Sequence, residues 1–143
     1  MSEALAGRVV ALIGTGSERD RAIAVALAGA GANIAIATER PVQEQEFATA
    51  SIANEVWAIG REQFSAVIDA SDEAQMAGFL AEARTRLGRL DAMIRGAEAH
   101  TSPDFVAVTF LGPAREVVSV RELPALGLSD GEVALTVVAA LGD

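Results

Sequence analysis

The sequence predicts an α/β fold, a doubly wound parallel sheet of about five strands in the order 3-2-1-4-5. Three observations carry that expectation. Short apolar runs alternate with longer helical patterns along the 143 residues, glycines punctuate the joins, and 51% of the chain is apolar. The length fits one domain over residues 1–143, with no internal repeat and no low-complexity linker.

Each element has its own signal. Val9 to Ile13 is an unbroken apolar run that stops at Gly14, as in a strand covered on both sides. Arg21 to Ala30 sets Ala22, Ile23, Ala26 and Leu27 on one helical face, and Gly29 and Gly31 supply the stop. Ile34 to Ala37 reads as the second strand. Pro41 opens a helix running to about Asn54, because its missing N–H would be unpaired there anyway. Phe64 to Ile68 is a third strand ending at Asp69. Ser71-Asp72-Glu73-Ala74 starts the next helix, whose last turn holds Arg84 and Arg86, a charge order that suits the helix dipole. Leu90 to Ile94 gives a fourth strand. Asp104 to about Leu123 is expected to form one long helix, interrupted at Gly112-Pro113. Glu132 to Val138 is rich in β-branched residues and is expected to be the fifth strand. In such a sheet, ligands bind at the carboxyl ends of strands one and four.

Composition excludes several chemistries. All 11 basic residues are Arg; Lys, Tyr and Cys are absent, and His100 and Trp57 are single occurrences. The chain therefore offers no disulfide, thiol nucleophile, multi-histidine zinc site, lysine Schiff base or P-loop lysine. A net charge of −9 argues against nucleic-acid and anionic-membrane partners. The start, Met1 to Arg8, lacks the basic opening of a secretion signal, and no apolar run approaches the roughly 20 residues of a membrane span. A soluble, cytoplasmic protein is expected.

Several segments together resemble the first half of a short-chain dehydrogenase/reductase, from about Gly7 onward. They are Gly7-Arg8-Val9-Val10, Arg21-Ala22-Ile23-Ala24, Ile68-Asp69-Ala70-Ser71-Asp72, Leu87-Gly88-Arg89-Leu90-Asp91, and Val108-Thr109-Phe110-Leu111-Gly112-Pro113 leading to Leu123-Pro124. The resemblance implies a Rossmann-like sheet, a dinucleotide cofactor and carbonyl reduction. It also implies working residues, and most are replaced. The family's first turn carries three glycines that let a pyrophosphate approach a helix N-terminus; here Gly14 remains, Glu18 and Asp20 stand at the second and third glycines, and sliding the pattern to use Gly16, with Ser17 beside it, does not recover the others. An acidic helix start that merely satisfies its own dipole is the alternative to a modified cofactor loop.

Further along, the resemblance sets Arg95-Gly96-Ala97-Glu98 against the family's Asn-Asn-Ala-Gly, Thr109 against its helix Asn, and Ala139 against its catalytic Ser. The Tyr-x-x-x-Lys pair would lie beyond Asp143, so the chain is expected to be a truncated and catalytically inactive relative, with no catalytic residue of its own. Thr38-Glu39-Arg40 mixes the cues that choose between NAD and NADP, and Glu39 disfavours the latter. Asp69 is expected near an adenine, or serves as a helix cap. Gly14, Gly16, Ser17, Glu39 and Asp69 are thus vestigial cofactor-binding candidates. No cofactor is expected, NAD(P) being held at most weakly.

Other constellations are sparser. His100 with Asp104 could pair as acid and base, but no nucleophile elbow accompanies them. Glu98 and Asp104 lack the spacing of a metal site, so no metal is expected. Trp57 reads as packing. The long helix 104–123 and the edge of strand five would present Phe105, Val108, Leu111, Val117, Val118 and Val120 to a partner. A homodimer, or a heteromer with an intact relative, is therefore expected. Two functions follow: a binding or assembly subunit, or an NAD(P)-dependent oxidoreductase subunit whose partner donates the Tyr/Lys base.

Overall fold

A computed structural model describes residues 3–95, 105–114 and 116–142. The first four strands are β1 (Val9–Gly14), β2 (Asn33–Thr38), β3 (Gln63–Ala66) and β4 (Ala92–Arg95). All run parallel, with Leu12 beside Ile36 of β2 and Ile94 of β4. The near-continuous apolar sequences of β1 and β2 follow from burial on both sides, whereas β3, at the edge, reads Gln63-Phe64-Ser65-Ala66 and is only half-buried. The crossovers are helices α1 (Glu18–Gly29), α2 (Gln43–Ile59) and α3 (Glu73–Leu87). Asp72 caps α3 by accepting from the amides of Ala74 (2.9 Å) and Gln75 (3.2 Å).

Beyond β4 two expected elements are corrected. The expected helix over 104–123 is instead an antiparallel pair, β5 (Phe105–Leu111) and β6 (Val117–Pro124), in which Ala107 faces Glu122 and Thr109 faces Val120. Asp104 lies outside the described residues. The physical reason is local: Phe105 to Phe110 and Val117 to Val120 are β-branched and aromatic, and Gly112-Pro113, costly inside a helix, sits where the chain turns back. The expected fifth strand is a helix, α4 (Asp130–Gly142). Ser129 and Glu132 form a reciprocal cap at its start, Glu132 N donating to Ser129 Oγ (3.2 Å) and Ser129 N to Glu132 Oε1 (3.0 Å). Val133, Ala134, Val137, Ala140 and Leu141 then recur at helical spacing on the buried side. Ala139 accordingly sits on a helix, not at a strand end.

The sheet has six strands in the order β3-β2-β1-β4-β5-β6. The predicted order of the first four holds, whereas the fifth strand is a different segment and is antiparallel to β4. α1, α2 and α4 cover one side, packing on Val10, Leu12, Ile34, Ile36, Ile94, Val106 and Val108. α3 covers the other, against Val9, Ala11, Ile13, Ala35 and Ala37. Asp91 fastens the base of β1 by accepting from Val9 N (2.8 Å), and is itself gripped by Arg89 (2.7 Å).

The outer strand is therefore β6, so the expected association surface on a long helix and a fifth parallel strand does not exist in that form. Of the residues assigned to it, Val108 is fully buried within the chain and Leu111 is half-buried, while Phe105, Val117, Val118 and Val120 remain exposed.

Candidate functional site

The carboxyl ends of β1, β2 and β4 meet where the sheet order switches, and they hold most of the candidate residues. After Gly14 the chain turns through Gly16 (φ +81°) into α1, capped by Ser17. Backbone N–H groups at such a turn form an anion cradle. Here the anion is internal. Asp20, 1% exposed, turns its carboxylate back so that Oδ2 accepts from Gly16 N (3.1 Å) and Ser17 N (3.3 Å), while Asp20 N donates to Ser17 Oγ (3.1 Å). The same oxygen lies 2.3 Å from where a Cβ on Gly14 would stand. Gly14 therefore makes room for this protein's own carboxylate. Glu18, at the family's second glycine, points outward and is not part of the cradle.

Gly16 has a different job. A Cβ there would lie 2.3 Å from Ala48 Cβ and 3.1 Å from the Ala48 carbonyl carbon on α2, at a backbone angle that L side chains avoid. Gly16→Ala is expected to cost about 2–4 kcal/mol from strain and overpacking together, read as a lowered urea midpoint with unchanged slope.

Across the end of β1, Glu39 just after β2 meets Arg95 at the end of β4. The guanidinium reaches the carboxylate through Nη2 (2.8 and 3.0 Å) and Nε (3.3 Å), with side-chain exposures of 22% for Arg95 and 9% for Glu39. Register explains the meeting. Arg95 stands beside Ile13, and Ile13 beside Ala37, two residues before Glu39, so both side chains leave the sheet on the side of α3. Glu39 is thus committed to Arg95 in this structure, and its backbone ties Gly14 O to Ala70 N (2.9 Å each).

Asp69 lies in the loop after β3. Ser71 donates to its Oδ1 through the hydroxyl (2.6 Å) and the backbone amide (3.0 Å), and these bonds, with Arg40 nearby, hold the carboxyl below the usual range. Asp69 shapes an Asx turn, whereas the cap of α3 is Asp72. A depressed folded pKa contributes stability above the unfolded value, and that contribution fades as pH falls through the folded value. Ser71→Ala is expected to move the Asp69 midpoint upward in a carboxyl NMR titration; an unmoved midpoint would contradict the assigned cause.

Asp20 and Arg95 stand at replaced family positions, and their identity there does not by itself show what they do. Ser17-x-x-Asp20 is a capping-box pattern, which signals that Asp20 folds back. The Glu39–Arg95 pair has no local signal, since it depends on strand register. His100, Glu98, Gly96 and Ala97 lie outside the described residues, as does the pairing of His100 with Asp104. Trp57 is 68% exposed on α2, so it does not pack in the core.

The family description that matches this sequence is short chain dehydrogenase, over residues 8–116. No curated protein matches it. Among solved structures, a short-chain type dehydrogenase/reductase from Mycobacterium marinum is 25% identical with a TM-score of 0.55, over 65% of this chain and 37% of that one. Levodione reductase is 33% identical with a TM-score of 0.51, over 62% and 33%. A short chain dehydrogenase from Mycobacterium paratuberculosis bound to NAD is 26% identical with a TM-score of 0.57, over 63% and 36%. The chain spans about a third of the length of these structures.

Proposed function

The chain belongs to the short chain dehydrogenase family, and from that premise we propose that it acts as a non-catalytic binding or assembly subunit. The observation that carries this reading is the Asp20 carboxylate in the cradle. The amides of Gly16 and Ser17, which would receive a dinucleotide phosphate, already have an anion 3.1 and 3.3 Å away. A phosphate would have to displace a buried, hydrogen-bonded carboxylate or lie beside it. At an effective dielectric of ~20, two like charges ~4 Å apart repel by about 4 kcal/mol, far more than the 1.4 kcal/mol of a tenfold affinity change.

Two features support it. A ribose diol at the end of β2 would have to compete with Arg95 for Glu39. The end of β5 also lies at the amino end of β4, where Leu111 N donates to Asp91 O (2.9 Å), so the chain beyond β5 starts from the side of the sheet away from the cradle. Among the described residues no helix is long and apolar enough to cross a membrane.

Calorimetric titration with NAD, NADH, NADP and NADPH tests the proposal. No saturable heat is expected at millimolar ligand. A submillimolar dissociation constant for any of the four would replace this reading with that of a dinucleotide-binding oxidoreductase subunit, for which the NAD-bound relative is the precedent.

A further inference from the structure

We propose that the part of the sheet left bare beside α3 is a groove for one amphipathic helix of a partner protein, whose acidic end meets Arg84; this rests on the reading of the chain as an assembly subunit. The two sides of the sheet are unequally covered. Among the described residues three helices lie on one side, but α3 alone lies on the other, against β1, β2 and β3. A helix is about 10 Å across and strands are about 4.8 Å apart, so one helix covers roughly two strands. On the side of α3, β4, β5 and β6 thus have room for another.

The bare area is apolar and already hollowed. Ala77 and Leu80 of α3, with Leu90 and Leu111, line a space of about 290 Å³. Leu90 and Leu111 also border an adjoining space of about 390 Å³ that reaches Arg84 and Arg89. Register extends the groove outward, because Met93, Thr109 and Val120 stand side by side across β4, β5 and β6, the apolar Met93 and Val120 flanking the threonine, and Val120 is 56% exposed.

Charge selects the occupant. Arg89 is held by Asp91 (2.7 Å) and Arg86 lies 3.7 Å from Glu82, but the Arg84 side chain makes no hydrogen bond or ion pair among the described residues. A half-buried guanidinium at the rim of an apolar groove favours a carboxylate from the incoming helix. A second copy docked through this groove about a two-fold axis would bring arginine toward arginine, which disfavours self-association.

The test uses the full chain and three synthetic peptides of about 18 residues: a leucine-faced helix with glutamates at one end, the same helix with lysines in their place, and a scramble of the first. The glutamate-ended peptide is expected to bind saturably, shifting the amide resonances of Leu80 and Leu111 while leaving Ser17 and Glu39 unmoved. Arg84→Glu, at a half-buried position in the last turn of α3, is expected to weaken that peptide roughly fivefold or more and to strengthen the lysine-ended one. Three results overturn the proposal: no shift at Leu80 and Leu111 with millimolar peptide, equal binding by the scramble, or sedimentation showing a dimer that Leu111→Glu dissociates. Dinucleotide binding is read separately at Ser17 and Glu39, so failure of the groove and failure of the subunit reading give different spectra.

Discussion

Arg95→Met is expected to lower stability by about 3 kcal/mol or more, a drop of the order of 10 °C in Tm. The size comes from what is left behind. Glu39 is 9% exposed in its side chain and takes all its guanidinium contacts from Arg95, so the variant buries a carboxylate without its cation. Removing both charges should be far milder. Glu39→Leu with Arg95→Met replaces the pair with apolar groups, and exchanges of that kind are often neutral or stabilising. Denaturant titration of the two singles and the double gives the coupling energy directly. A double variant no more stable than Arg95→Met would show that the pair's desolvation is already relieved by water.

Gly14→Ala is expected to cost about 2–3 kcal/mol, because the new methyl group would meet the Asp20 carboxylate at 2.3 Å from Oδ2 and 2.9 Å from Cγ. Asp20→Gly should also destabilise, by about 2 kcal/mol, since it strips a buried charged acceptor from the amides of Gly16 and Ser17. The double variant decides whether the two positions form one unit. With the carboxylate gone the alanine has space, so the second cost should largely vanish and the cycle should show a coupling of about 2 kcal/mol. Asp20→Gly should also expose the cradle, giving measurable heat with inorganic pyrophosphate where the parent chain gives none. Additive losses with no pyrophosphate heat would mean that Asp20 only caps a helix.

The parallel half of the fold is legible because its signals are short-range and agree with one another. Val9 to Gly14 and Asn33 to Thr38 are apolar runs ending at turn residues, and Ser71-Asp72 supplies a helix start of the expected kind. The other half misleads because composition outweighs spacing there. Val137 and Val138 favour a strand by residue type, yet Ser129 with Glu132 and the spacing from Val133 to Leu141 specify a helix. Conversely, the stretch from Asp104 to about Leu123 reads as one long helix only if the Gly112-Pro113 interruption is passed over, and that interruption divides Phe105 to Leu111 from Val117 to Pro124. In the site, Asp20 is visible as an obstruction and its role is encoded in the capping pattern. Arg95 with Glu39 is not visible, because 56 positions separate them and only the strand order brings them together.

The reversal of chain direction at β5 also shapes how the molecule assembles. β5 and β6 are joined by a short turn, and ribbons of this kind close in about microseconds. The parallel centre must instead bring together Val9 and Asp91, 82 positions apart, and so pays a much larger loop-closure entropy before any contact rewards it. Native-state amide exchange should follow the same gradient. The outward N–H groups of β6 should trade for deuterium first and those of β1, flanked on both sides by β2 and β4, last.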